Sequence, residues 1–168
     1  MSGTRALTEL LRGEGAHLDP LACVEDISAE IAVRRVDGFP HSIGELIFHM
    51  NYWMDYDLRR IRGERPQYPE HNSESFPSRT TPADKREWIL LREQFSTLLN
   101  ATAVLADSPR ADLDREIEPT HPSHREHAAS LQAILWQLVA HNSYHIGQMV
   151  MIRRMLGAWP PRRGGDTW

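Results

Sequence analysis

His141 and His145 stand four residues apart in HNSYHIGQ, residues 141–148, within a stretch that otherwise has the pattern of a core helix. Written in heptads, Leu131, Leu138, His145 and Ile152 share one row, and Ile134, His141, Gln148 and Met155 share the row three residues on. Two such rows make the inward seam of a bundle helix. Two imidazoles and a carboxamide therefore occupy positions where apolar side chains belong. A buried polar group left without a hydrogen bond costs about 1–3 kcal/mol, so three of them within two turns imply a shared partner. The i, i+4 spacing sets both rings on one face, one turn apart, which suits a single divalent ion. The competing reading is a pair of core histidines satisfied by ordinary hydrogen bonds.

A metal needs a further ligand from another element. Cys23 is the only cysteine, which excludes a cysteine-built zinc site and any intrachain disulfide. The segment 43–62 offers candidates. Its apolar stripe holds Ile43, Leu46, Ile47, Met50, Trp53, Met54, Leu58 and Ile61. His49 falls just beyond the edge of that stripe, and Asp57 falls inside it. Asp57 could be a ligand, a hydrogen-bond partner for an imidazole N–H, or half of a salt bridge. Glu45, one turn before His49, is a further partner candidate, although a helix cap already employs it. His121, His124 and His127 crowd a helix start, where the partial positive charge disfavours cations, and read as solvent-facing. His17, His41 and His71 lie in or near loops. Of these, His41 adjoins the capping Ser42 and could approach a site.

The elements that must position these residues are helical. Ser42 with Glu45 forms a capping box that opens a helix over about 43–62, closed by Gly63. Thr81-Pro82 reads as cap and first-turn proline, with Asp84 and Glu87 at the positive end of a helix reaching about Ala106. Ser123 with Glu126 forms a second capping box, and the helix it opens runs to about Leu156 before Gly157. A first helix covers roughly 3–12, and Asp19-Pro20 starts a shorter one. Strand signals are weak. The linkers 64–82, with four prolines, and 106–123 are long for a compact domain. This pattern is all-α, most simply a four-helix bundle with a long crossover connection. One domain, 1–168, is expected, with an irregular tail over about 158–168 where paired prolines and glycines forbid helix.

Composition narrows the function classes. The chain has 168 residues, 40% hydrophobic and 25% charged, with net charge −4, within the range of soluble globular proteins. Its basic residues form no dense cluster, so no nucleic-acid partner is expected. No apolar run approaches the length of a membrane span, and the N-terminus lacks the pattern of a secretory signal. The cytoplasm is the expected location.

HSIGELIFHMNYWM, AHNSYHIGQMVMIRRMLGAWPP and the terminal GGDTW together resemble the DinB-like (damage-inducible) metalloprotein superfamily, from about residue 11 to the end. The resemblance implies a four-helix bundle whose metal is held by three histidines. Carried over, the single upstream ligand falls on His49 and the later pair on His141 and His145. It also implies nickel or zinc as the metal and a homodimer as the assembly. Some members are thiol transferases or isomerases that use a low-molecular-weight thiol.

Three neutral imidazoles on a divalent ion leave at least one coordination position open, as in catalytic sites. Such an ion lowers the pKa of bound water, or holds a thiol as thiolate. The expected function is accordingly a metal-dependent transferase acting with a small thiol on a small-molecule substrate. The alternatives are a metal-dependent hydrolase and a non-catalytic metal-binding stress or interaction protein. Gln148 could hydrogen-bond a bound water or substrate, and Asn142 could brace a ligand. Tyr144 points away from the seam centre. Tyr52, Trp53 and Tyr56 either wall a substrate cavity or pack in the core. The C-terminal tail could cover the site, its arginines meeting an anionic cofactor.

Overall fold

The helix bearing His49 is set by its first four residues. Ser42 Oγ accepts from the Glu45 amide, and the Glu45 carboxylate accepts in return from the Ser42 amide at 2.9 Å. In this computed structural model, which describes residues 3–120 and 128–165, the helices are α1 (Gly3–Leu11), α2 (Ala29–Ala32), α3 (Ile43–Ile61), α4 (Lys85–Ala106), α5 (Arg110–Leu113) and α6 (Leu131–Met155). A 3₁₀ turn spans Asn72–Ser75. A two-residue antiparallel pair joins β1 (Glu116–Ile117) to β2 (Ala129–Ser130). The chain is helical, as its periodicity implies. Among the described residues no helix is long and apolar enough to cross a membrane.

The four longer helices pack as a ring. α3 lies against α4 and α6, and α1 lies against the same two. α1 and α3 thus sit across from each other, and the connection 12–42 has to pass from one corner to the opposite one. Leu7, Leu11, Met50, Met54, Phe95, Leu99, Leu135, Ile146 and Met149 fill the middle, each almost wholly buried. Gly44 serves a close approach: a Cβ there would come within 2.4 Å of the Thr81 carbonyl oxygen and of Pro82 Cδ. Only a glycine lets the end of the 62–84 linker rest on the first turn of α3.

Several starts differ from expectation. Asp84, rather than Thr81, caps α4, its carboxylate accepting from the Glu87 amide at 2.8 Å. Asp19 does accept from the amides of Leu21 and Ala22, but only turns follow it. The short α2 begins instead after Ser28. The expected cap pair Ser123 and Glu126 lies outside the described residues. α6 starts at Leu131, because pairing of Ile117 with Ala129 and Glu116 with Ser130 keeps the chain extended to that point. Ser130 then caps the helix through the Ala133 amide.

The two heptad rows of α6 also part company. Leu131, Leu138, His145 and Ile152 are all buried. In the second row Ile134 is buried, His141 and Gln148 are half-buried, and Met155 is 54% exposed. A straight helix drifts about 20° per heptad against a seven-residue repeat, and this row drifts outward with it. Asn142 and Met149 take the inner places. The outer side of α6 exposes Trp136, Tyr144, Met151 and Met155, so this helix is apolar on both faces.

The tail is fastened far from the histidines. The buried Arg153 guanidinium donates to Cys23 O at 2.6 Å, to Asp26 Oδ1 at 2.9 Å and to Ala158 O at 2.9 Å. The Arg162 amide reaches Asp26, and Arg163 pairs with Glu25. The arginines at 162 and 163 are therefore held by the segment before α2, and no described tail residue lines the cavity beside the histidines.

Candidate metal centre

α3 and α6 pack side by side, and their contact brings three imidazoles to one point. His49 Nε2 lies 3.0 Å from His141 Nε2, which lies 3.2 Å from His145 Nε2. All three ligand atoms fall within 4.8 Å of one another. With metal–nitrogen bonds of about 2.05 Å, a tetrahedral ion separates its nitrogen ligands by about 3.3 Å. The two short separations are therefore close to what one ion needs. Among the described residues these three form the one such group, and no carboxylate joins it.

Two of the three rings are held from behind, each by a different kind of partner. His145 Nδ1 lies 2.7 Å from Gln148 Oε1. That oxygen carries no hydrogen, so Nδ1–H donates and Nε2 presents its lone pair to the other rings. His49 Nδ1 lies 2.9 Å from Ser75 Oγ. His141 Nδ1 and Asn142 Oδ1 are both buried without a hydrogen-bond partner. An imidazole whose Nε2 faces a cation carries its proton on Nδ1, and the next residue offers a matching acceptor. These orphaned atoms and the all-imidazole donor set both fit a divalent ion.

His49 is 3% exposed, deeper than its place at the stripe edge implied. The 62–84 linker accounts for the difference. Phe76 stacks on the His49 ring at 4.0 Å between centroids and on His41 at 3.9 Å. His41 is thereby drawn to the cavity wall, where spacing gave it no place. Ser75 and Phe76 had no signal in the sequence beyond the unusual length of their loop. Glu45 does not reach His49. Its carboxylate is taken up by the Ser42 amide and by Arg35, with His41 Nδ1 3.8 Å away. Asp57 lies on the cavity wall and outside the histidine group. Asn142 reaches across to Met54 Sδ at 3.5 Å.

A cavity of about 530 Å³ opens beside the three rings, within the range of small-molecule sites. His49, Trp53, Asp57 and Arg60 line it along one side of α3, a run of about 16 Å by helical rise. Tyr56, Tyr68 and Phe76 complete an aromatic wall, with Tyr144 and Gln148 on the α6 side. Trp53 contacts both Tyr56 and Tyr68 edge-on or tilted, at 5.6 and 5.8 Å. Tyr52 touches Trp53 but does not line this cavity.

Burial makes these imidazoles hard to protonate. Desolvation first, then the neighbouring His141 and His145, holds His49 down at about 3. Desolvation and His145 hold His141 at about 4. Burial also lowers His145, while Gln148 opposes it. The unfolded chain takes up protons near the ordinary value of 6.5, and the folded chain does not until far lower pH. The rings therefore contribute stability that is fully present above about pH 6.5 and is lost as pH falls toward 4 and 3. Thermal melts of chelator-treated protein between pH 7.5 and 4.5 should show a steep fall in Tm. A variant with all three histidines changed to Gln should show a shallower fall. Equal slopes would count against the buried, neutral cluster.

A family model described as the DinB superfamily matches residues 16–149. No curated protein matches the chain. The matched span takes in all three histidines and most of the bundle, and the chain belongs to the DinB superfamily.

Proposed function

We propose that this member of the DinB superfamily binds one divalent metal, nickel or zinc, through His49, His141 and His145, and acts as a transferase with a small thiol. The observation that carries the reading is the convergence of three neutral imidazoles on the wall of a roomy cavity. A structural ion is closed off by four protein ligands, whereas three leave a position for a reactant. The cavity beside the rings supports an enzyme over a non-catalytic metal carrier.

A divalent ion held there lowers the pKa of a thiol or water that ligates it. The chain's own residues do the rest. Gln148 keeps His145 in the tautomer that leaves Nε2 free, which makes it a positioning residue. Trp53, Tyr56, Tyr68 and Phe76 cover one side of the cavity, excluding water and providing flat apolar surface for the body of a substrate. The length along α3 leaves space for a thiol and an acceptor molecule together.

The test is titration of nickel-loaded protein with glutathione and with cysteine as model thiols. A saturable sulfur-to-metal charge-transfer band, one thiol per chain and absent from His145→Ala, is the expected result. A spectrum unmoved by millimolar thiol would sink the thiol reading. Turnover of ester substrates that rises through a single ionisation would then favour the hydrolase.

A further inference from the structure

We infer that Ser75 is a positioning residue for the metal centre, fixing His49 in the Nδ1–H tautomer and tying the Asn72–Ser75 turn to the metal. This rests on the three-histidine reading above, and its closing experiment separates the two.

The argument is a count of protons. Ser75 Oγ lies 2.5 Å from the Asn72 carbonyl oxygen and 3.4 Å from Asn72 Oδ1. Both are acceptors, so the single hydroxyl hydrogen is spent on Asn72. Toward His49 Nδ1, 2.9 Å away, Ser75 can only accept. His49 must then carry its proton on Nδ1, and its Nε2 lone pair faces His141 Nε2. Gln148 imposes the same tautomer on His145 from the opposite side. Two of the three rings are thus set before any ion arrives. They are set by different elements, one by α6 itself and one by a loop.

Ser75 is wholly buried, and its only route to that place is the 3₁₀ turn. Glu74 closes the turn by accepting from the His71 amide at 2.8 Å. Phe76, the next residue, lies flat on His49. The loop therefore contributes a hydrogen bond behind the ring and a stack across its face. Metal bound at His49 Nε2 favours Nδ1–H, and Nδ1–H favours the closed turn.

Removal of a hydrogen-bond partner behind a metal-bound histidine weakens binding about 10–100-fold. Ser75→Ala should lose nickel affinity by that factor. In metal-free protein the same variant should show a mixed tautomer at His49, read from imidazole ¹⁵N shifts in long-range ¹H–¹⁵N spectra. Ser75→Thr, which restores the hydroxyl, should recover both. Phe76→Leu, which removes the stack and keeps the hydroxyl, should keep the tautomer. A merely structural role would leave the ¹⁵N shifts of His49 unchanged in a folded Ser75→Ala protein. That result overturns the inference whatever the affinity of the variant. If the parent chain binds no nickel or zinc, the three-histidine metal reading and Ser75's part in it both fall. Because the tautomer is read in metal-free protein, a His49 unmoved by Ser75→Ala in a chain that does bind metal removes the Ser75 assignment alone.

Discussion

His145→Ala is expected to bring metal content from near one ion per chain to near none. Loss of a hydrogen-bond partner behind a ligand already costs about 10–100-fold in affinity, so loss of the ligand itself costs more. His141 alone on α6 would remain with His49, and only one of the two short nitrogen separations would survive. His141→Gln and His49→Gln should act alike, and their similar volume guards against collapse of the packing around Phe76 and His145. His71→Ala and His124→Ala are the controls. His71 caps an exposed turn and stands outside the cluster; His124, outside the described residues, reads from its sequence position as solvent-facing. Elemental analysis of untagged protein reads the result. Full stoichiometry in His145→Ala would remove the site assignment altogether, and loss of metal in His71→Ala would move the site elsewhere.

Arg153→Met is expected to give the largest loss of stability of any single change outside the core. The Arg153 side chain is 1% exposed and faces Asp26, itself 19% exposed. Its remaining donors hold the carbonyls of Cys23 and Ala158. One guanidinium thus ties α6, the segment before α2 and the start of the tail into one joint. Breaking a buried pair by removing one partner costs about 3–5 kcal/mol, since the other charge is left uncompensated. For a chain of this size each kcal/mol moves Tm by about 2–4 °C, so a fall of about 10 °C should appear by calorimetry. Arg163→Ala, which removes the more exposed pair with Glu25, should leave Tm nearly unchanged, since solvent screens such a pair. Equal effects of the two variants would show that the tail, rather than the buried charge, carries the stability.

Much of this protein was legible in one dimension. The capping box Ser42–Glu45, the stops at Gly63 and Gly157 and the histidine pair in the seam all depend on neighbours within a turn or two, where backbone geometry fixes distances. His141 and His145 could be paired with each other from spacing alone, because a helix places i and i+4 on one face. The start of α6 was not legible, since a strand pair with residues 116–117 holds Ala129 and Ser130 extended. Nor was the cap of α4, where two good caps compete within four residues and packing on Gly44 selects where the linker lies.

The residues around His49 mark the boundary most clearly. By its own periodicity His49 is an edge residue, and only the resemblance assigned it to the metal. What buries it is a loop whose residues 75 and 76 are 26 and 27 positions away, with no pattern that reports their destination. Arg153 is the same case in another place: a basic residue in a helix's last turn reads as solvated, yet it is buried by a carboxylate 127 residues earlier. The sequence by itself determined the longer helical segments and the polar residues in the α6 seam, because those follow from local spacing and backbone hydrogen bonding. The tertiary structure alone decided which nitrogen of each ring faces the centre, what stands behind it, and that a cavity lies alongside. Those properties arise from side chains far apart in the chain, and only the packing of α3, α6 and the 62–84 linker sets their distances.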